Sequence, residues 1–245
     1  SVPVPLLEAL KAHCKVYPDP KAVRICQNRG CEKAFIEGIG AAMAPKIVVT
    51  TLAELQAAVA ELDFPVIVKT CEDGYDGLNQ WKLNAPADLD AFIAGRDSIA
   101  ESVVEKRVKF SRELSLILVR TADGRTAAYP ATQNAHEGGI LRSSFAPAQH
   151  IDAALSAQID ELKSQVSGNM DCVGVLANEC FVGDGQLLVI ELAPRAHNSG
   201  DWTQQGAATS QFENKLRAIN GFPLGSTAVH SSAGRVNLLA EHGRT

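Results

Sequence analysis

Glu179 and Glu191 are the two acids on the arms of the stretch N-E-C-F-V-G-D-G-Q-L-L-V-I-E-L, residues 178–192. Apolar runs flank Gly183-Asp184-Gly185, the pattern of a β-hairpin. With a three-residue turn and an even spacing, the two carboxylates lie opposite one another. Like charges across a ladder repel. A hard divalent cation that prefers oxygen ligands, Mg2+ above all, would resolve the repulsion. Arg195, His197 and Asn198 follow in one turn-rich loop, which gathers a guanidinium, an imidazole and an amide at one end of the hairpin. Two acids alone fit an edge hairpin with solvated carboxylates as well.

A second candidate is Lys69, at the end of the apolar run Phe64–Lys69 and just before C-E-D-G-Y-D-G-L-N-Q, residues 71–80. A strand-end lysine before a glycine-containing loop can hold phosphate through backbone N–H groups and the ammonium. The stretch is not a P-loop, because G-x-x-x-x-G-K-[ST] is absent. Arg29 and Lys33 are four apart, hence on one helix face, and read as a solvated basic face.

The rest of the chain must position these groups. Its 245 residues suffice for one large domain or two small ones. A net charge of −5 argues against a nucleic-acid partner. No apolar run approaches membrane-spanning length, and the start S-V-P-V-P has no signal-peptide pattern. The six cysteines form no C-x-x-C pair, which points to reduced thiols and a cytoplasmic setting.

In order, we expect helices over 6–13 and 21–39, the second interrupted near Arg29-Gly30. Strand 46–50 follows, then a helix from the capping box Thr51-Leu52-Ala53-Glu54 to Leu62. Strands 64–69 and 81–83, helix 87–94 and strand 102–104 complete a small α/β module. Runs 112–120, 125–133 and 139–145 read as an antiparallel meander with turns at Asp123-Gly124 and Glu137–Gly139. An amphipathic helix over 149–167, the hairpin, a helix over 210–220 and a strand over 235–239 with nothing after it to pair with end the chain.

Taken together, several strings resemble the ATP-grasp superfamily, and within it the 5-(carboxyamino)imidazole ribonucleotide synthases. They are Gly74-Tyr75-Asp76-Gly77, Val104-Glu105, Phe110 to Leu114, Gly139 to Arg142, Ala146-Pro147-Ala148 and Gly174-Val175. Most specific is Glu191-Leu192-Ala193-Pro194-Arg195 through His197-Asn198-Ser199-Gly200, with Trp202-Thr203 and Ser210 to Glu213 after it. The resemblance implies an α/β (α+β) ATP-grasp fold, with two α/β subdomains sandwiching the nucleotide. Residues 1–45 would be a linker and helices, 46–104 the small lid, and 105–245 the large subdomain. The family also has a Gly-rich N-terminal domain and a basic C-terminal segment that this sequence does not show.

The resemblance further implies a carbon–nitrogen ligase of purine biosynthesis. ATP and Mg2+ would convert bicarbonate to carboxyphosphate for capture by aminoimidazole ribonucleotide. Arg29 and Lys69 would contact phosphates, and Gly74, Tyr75, Asp76, Gly77, Leu78, Asn79 and Gln80 would form the loop over them. Glu105, Lys106, Arg107 and Val108 would be the adenine hinge. Glu113 would take the ribose, with His136 and Ile190 beside the nucleotide. Glu179 and Glu191 would hold the metal. Arg195, His197 and Asn198 would be catalytic, and Tyr75, Asp76 and Arg195 would bind substrate. The implied assembly is a homodimer.

Four loop positions depart from the family's usual K-T-R-x-G-G-Y-D-G-K-G-Q: Cys71, Asp73, Leu78 and Asn79. Two basic residues and two glycines are replaced and a carboxylate is added, which costs attraction for phosphate and backbone freedom. Ile190 stands where Asn is usual, and Asp201 where His is usual. The resemblance also implies that part of the acceptor pocket comes from the terminal regions this sequence does not show, so we expect weak Mg-ATP binding and no turnover of imidazole ribonucleotide by this stretch alone, the loop substitutions weakening binding further.

Overall fold

The computed structural model describes residues 2–72 and 78–238. Three helices come first: α1 (Val4–Lys11), α2 (Pro20–Gln27) and α3 (Arg29–Gly38). The break between the last two is at Asn28, whose backbone is extended and whose side chain caps α3 by accepting from Cys31 N at 3.0 Å.

A small sheet follows, built from β1 (Lys46–Val49), helix α4 (Leu52–Leu62), β2 (Val66–Thr70), β3 (Gln80–Leu83), helix α5 (Pro86–Ile93) and β4 (Ser102–Lys106). Its strand order is β1-β4-β2-β3, antiparallel throughout. The capping box at Thr51 forms as expected, with Glu54 N donating to Thr51 Oγ1 at 3.1 Å and Thr51 N to Glu54 Oε2 at 3.2 Å. Val49, Leu55, Val66, Val68, Leu83 and Val104 fill one core between sheet and helices. Strand β4 runs two residues beyond the expected Val104, so Glu105 lies within the small sheet, paired with Lys46 on one side and Ile67 on the other.

The large sheet comprises β5 (Arg112–Arg120), β6 (Thr126–Ala128), β7 (Thr132–Glu137), β8 (Ile140–Ala146), β9 (Gly174–Gly183), β10 (Gln186–Ala193) and β11 (Ala233–Val236), with helices α6 (Ala153–Asn169), α7 (Thr203–Gly206) and α8 (Gln211–Ile219). The order is β10-β9-β5-β7-β8-β11, with β6 also on β5. The middle run of the meander is two strands, not one. Pro130, which lacks an N–H for a ladder, falls between β6 and β7. Helix α6 starts at Ala153 rather than 149, because Asp152 caps it through Leu155 N at 2.8 Å. The last strand is not unpaired: β11 joins the edge of β8.

Alternation along β5 and β9 divides the large sheet into two faces. Leu114, Leu116, Leu176 and Cys180 meet the α6 stripe of Leu155, Ile159, Leu162 and Val166. Each such aliphatic side chain stabilises by about 1.5–3 kcal/mol when fully buried. Ile117, Val119, Val175 and Ala177 point the other way, into a core with Trp202 and Ala218. Glu113, Ser115, Glu179 and Phe181 continue that second face past the end of its core.

Candidate functional site

The hairpin reaches its geometry by a route the spacing did not show. The turn has two residues, Asp184 and Gly185, with φ of 50° and 75°, the left-handed pair that suits a tight hairpin. From that turn a regular ladder would put Glu179 and Glu191 on opposite faces. The register shifts between Val189 and Glu191, leaving Ile190 as a bulge. Leu187 and Val189 thus enter the α6 core, as does Leu192, out of step with them by the bulge. Glu191 pairs directly with Glu179. Burial and the facing Glu191 push the Glu179 carboxyl up to about 7.

Strand β10 is a sheet edge, and α3 and the residues after it cover it. Val189 N donates to Ala42 O at 2.8 Å, Leu192 N to Glu32 Oε1 at 2.6 Å, and Lys33 Nζ to Ile190 O at 2.7 Å. These bonds take up the outward groups on both sides of the bulge. Burial pushes the Glu32 carboxyl up to about 8 against the pull of Lys33, with Glu191 adding to the rise.

His197 reaches back to the pair, its Nε2 3.7 Å from Glu179 Oε1. Its Nδ1 contacts Ser199 Oγ at 2.8 Å. Burial first, then the charges of Arg195, His136 and Arg235, lower its pKa to about 4, so the imidazole is neutral at pH 7. Gln211, fully buried, clamps the His197 backbone: its amide donates to His197 O at 2.7 Å and accepts from His197 N at 3.1 Å. A Cβ on Gly200 would lie 2.8 Å from Gln211 Oε1, so only glycine leaves the clamp undisturbed. Arg195 is exposed, and Asn198 opens a 3-10 turn, Asn198–Gly200, also exposed. Asp201 pairs with Arg235 at 3.2 Å.

Further along the same face, Glu113 hydrogen-bonds His136 Nδ1. Phe181 stacks on Phe110, centroids 3.9 Å apart. The cations come from the small sheet and from the start of α3. Lys69 Nζ contacts Glu105 Oε2 at 2.5 Å, and Arg29 donates to Thr70 O at 2.9 Å. Gln80 pairs with Lys69, while Asn79 (φ 54°) and exposed Leu78 precede it. Gly74, Tyr75, Asp76 and Gly77 lie outside the described residues.

The side chains of the expected hinge turn elsewhere. Lys106 donates to Asp63 O and Phe64 O, both at 3.0 Å, and Arg107 to Asn84 at 3.1 Å. Val108 follows β4 outside any strand. The expectation of a solvated face at Arg29 and Lys33 is corrected for Lys33, which is 3% exposed. Glu32 and Lys33 were missed as site residues. Adjacent opposite charges on an amphipathic helix look like surface, and only the edge strand they cover shows otherwise.

Among the described residues, no cluster of three or more His, Cys, Asp or Glu forms a cage for a metal. The two facing carboxylates offer a pair of hard oxygen ligands, which still suits Mg2+.

Against known proteins, residues 34–212 match the ATP-grasp domain. The chain is 39% identical over 248 residues to N5-carboxyaminoimidazole ribonucleotide synthase of Vibrio cholerae, covering 98% of this chain and 64% of that protein. It superposes with TM-score 0.91 on the N5-carboxyaminoimidazole ribonucleotide synthetase of Thermus thermophilus, 38% identical, covering 98% of this chain and 65% of the other. A second similar structure, from Aspergillus clavatus, is a synthase in complex with ADP and 5-aminoimidazole ribonucleotide, with TM-score 0.87 and 28% identity. That match covers 98% of this chain and 64% of the other. The chain spans less than two thirds of the curated relatives it matches. Paired sheets with a facing carboxylate pair beside a lysine-bearing small sheet, together with a family match over most of the sequence, establish that the chain belongs to the ATP-grasp family.

Proposed function

We propose that these residues form the nucleotide- and metal-binding part of a ligase that carboxylates 5-aminoimidazole ribonucleotide, using ATP and bicarbonate and giving 5-(carboxyamino)imidazole ribonucleotide, ADP and phosphate. The observation that carries this reading is the Glu179–Glu191 pair with His197 3.7 Å away, on a chain similar over 98% of its length to synthases of that name.

The chemistry divides among the residues. A bicarbonate oxygen attacks the γ-phosphorus of ATP, the bond to the β–γ bridging oxygen breaks, and ADP leaves. Such a transfer needs positioning and charge neutralisation more than covalent help. Lys69 and Arg29 supply positive charge on the small-sheet side. When bound at Glu179 and Glu191, Mg2+ would neutralise the β- and γ-phosphates. Arg195 suits a planar anion held by two parallel bonds. The substrate amine then attacks the carboxyl carbon, the bond to phosphate breaks, and one proton leaves the amine. The departing phosphate can accept it, and His197, neutral at pH 7, can accept a hydrogen bond from the amine. Carboxyphosphate is unstable in water, so the site must exclude solvent while it forms and reacts. No helix of the described residues is long and apolar enough to cross a membrane. All six cysteines are free, in keeping with a cytoplasmic enzyme, and a homodimer is the assembly this reading carries.

The loop substitutions favour a second reading, a nucleotide-binding module without turnover. Phosphate release from ATP and bicarbonate, with and without aminoimidazole ribonucleotide, separates the two. For this stretch alone we expect Mg-ATP binding without stimulated release. Restoring the loop with Cys71→Arg, Asp73→Gly, Leu78→Lys and Asn79→Gly is expected to tighten Mg-ATP binding and to bring out release that depends on both bicarbonate and the ribonucleotide. Tight Mg-ATP binding with no phosphate release from the restored chain under any of these conditions would favour the second reading over the first.

A further inference from the structure

Lys33 is a buried cation to which the chemistry above gives no task. Its side chain is 4% exposed, and a buried ammonium is costly unless paired. Its partners lie on two different sheets. Nζ donates to Ile190 O of β10 at 2.7 Å and lies 3.2 Å from Glu105 Oε1 of β4. The other oxygen of Glu105 takes Lys69 at 2.5 Å. One carboxylate therefore serves two lysines. Burial alone would push the Glu105 carboxyl up, but the Lys69 and Lys33 ammoniums outweigh it and hold it at about 2. Oε1 accepts no well-aligned hydrogen bond, so its compensation comes from the charge of Lys33.

We propose that Lys33 is a positioning residue of the nucleotide site: it shares the Glu105 carboxylate, so that Lys69 is held in place yet keeps its ammonium available to a phosphate. The inference rests on the nucleotide-site reading above. A carboxylate with a single lysine in a buried setting makes a closed pair, strongly attracted at low effective dielectric. An incoming phosphate would have to compete with the whole of that attraction. With Lys33 present, the three side chains carry two positive charges and one negative, and Glu105 divides its attraction between them. The Ile190 carbonyl anchors Lys33 without cancelling its charge, because a carbonyl accepts a hydrogen bond and carries no net charge. The bulge does not depend on this bond alone, since Val189 N and Leu192 N are held on either side of it by Ala42 and Glu32.

The test is a double-mutant cycle read by calorimetric titration with Mg-ATP. Lys33→Met in the otherwise unchanged chain is expected to weaken Mg-ATP binding about tenfold, as loss of a supporting partner does. In a Glu105→Gln background, where no carboxylate can capture Lys69, the same substitution is expected to weaken it less than about threefold, the non-additivity that marks coupled residues. Thermal melting checks that each variant folds. Should Lys33→Met not fold, Lys33→Gln keeps a donor for the Ile190 carbonyl without the charge and enters the same cycle with the same expectations. A loss equal in both backgrounds, or no loss in either, overturns the role of Lys33 while leaving the nucleotide site standing. An unaltered chain that binds no Mg-ATP overturns the nucleotide-site reading and this inference with it.

Discussion

Glu191→Gln is expected to weaken Mg-ATP binding about 100-fold, the upper end of what loss of even a supporting metal partner costs. The substitution keeps the shape of the side chain and removes one of the two charges that the hairpin bulge brings face to face. Binding of ATP in EDTA is expected to change less than about threefold, because in the proposed site that affinity would rest on the small-sheet lysine and on the face around Glu113 rather than on the carboxylate pair. The signature is therefore a collapse of the difference between the two conditions, not a general loss. Equal losses with and without metal would mean that Glu191 supports the fold or the nucleotide directly.

Two acids whose protons the fold retains give the second large effect. The Glu179 carboxyl stands at about 7 and the Glu32 carboxyl at about 8, both above the ordinary carboxyl value. A raised carboxyl pKa means that the folded chain holds its proton longer than the unfolded chain does. Stability from that source is full below the unfolded pKa and is lost as pH rises through the folded value. His197 acts the other way, since its pKa is lowered to about 4. Its stabilising contribution is present above its unfolded pKa near 6.5 and lost as pH falls toward 4. Above pH 6.5 the folded histidine is neutral and the unfolded one loses its remaining protons, which offsets the acids by only about 0.4 kcal/mol up to pH 8. Unfolding free energy of the metal-free chain is thus expected to fall by about 2 kcal/mol between pH 6.5 and 8, most of it from Glu32. Urea midpoints at the two values measure it, and Glu32→Gln is expected to remove most of the fall. A midpoint that holds or rises toward pH 8 would show that these acids are not held protonated.

Much of this arrangement was legible in the sequence because it depends on local rules. The Thr51 capping box, the Asp-Gly turn, the alternation along β5 and β9 and the helix over 211–219 each announce themselves in a few residues. The facing of Glu179 and Glu191 was also anticipated, but for an incomplete reason. The spacing suggested a three-residue turn, whereas a two-residue turn and a bulge at Ile190 give the same parity. A bulge has no reliable composition and is fixed by what covers the strand, here Glu32, Lys33 and Ala42. That is why Lys33 read as surface: its burial is decided by Glu105 and Ile190, both remote in the chain. The pairing of β11 with β8 escaped for the same reason, since nothing local says which edge a final strand will find. The altered loop at 71–79 was visible residue by residue. Its effect on binding is a question of charge and backbone freedom that only titration answers.

In the proposed function, the carboxylate pair on the bulged hairpin is the metal part of an ATP site. Calorimetric titration of the unaltered chain with ATP, once in Mg2+ and once in EDTA, tests it most directly. We expect one site per chain, with affinity about 100-fold higher in Mg2+, the gain that Glu191→Gln is expected to abolish. Affinity that is the same in both conditions, or no binding in Mg2+, would contradict it.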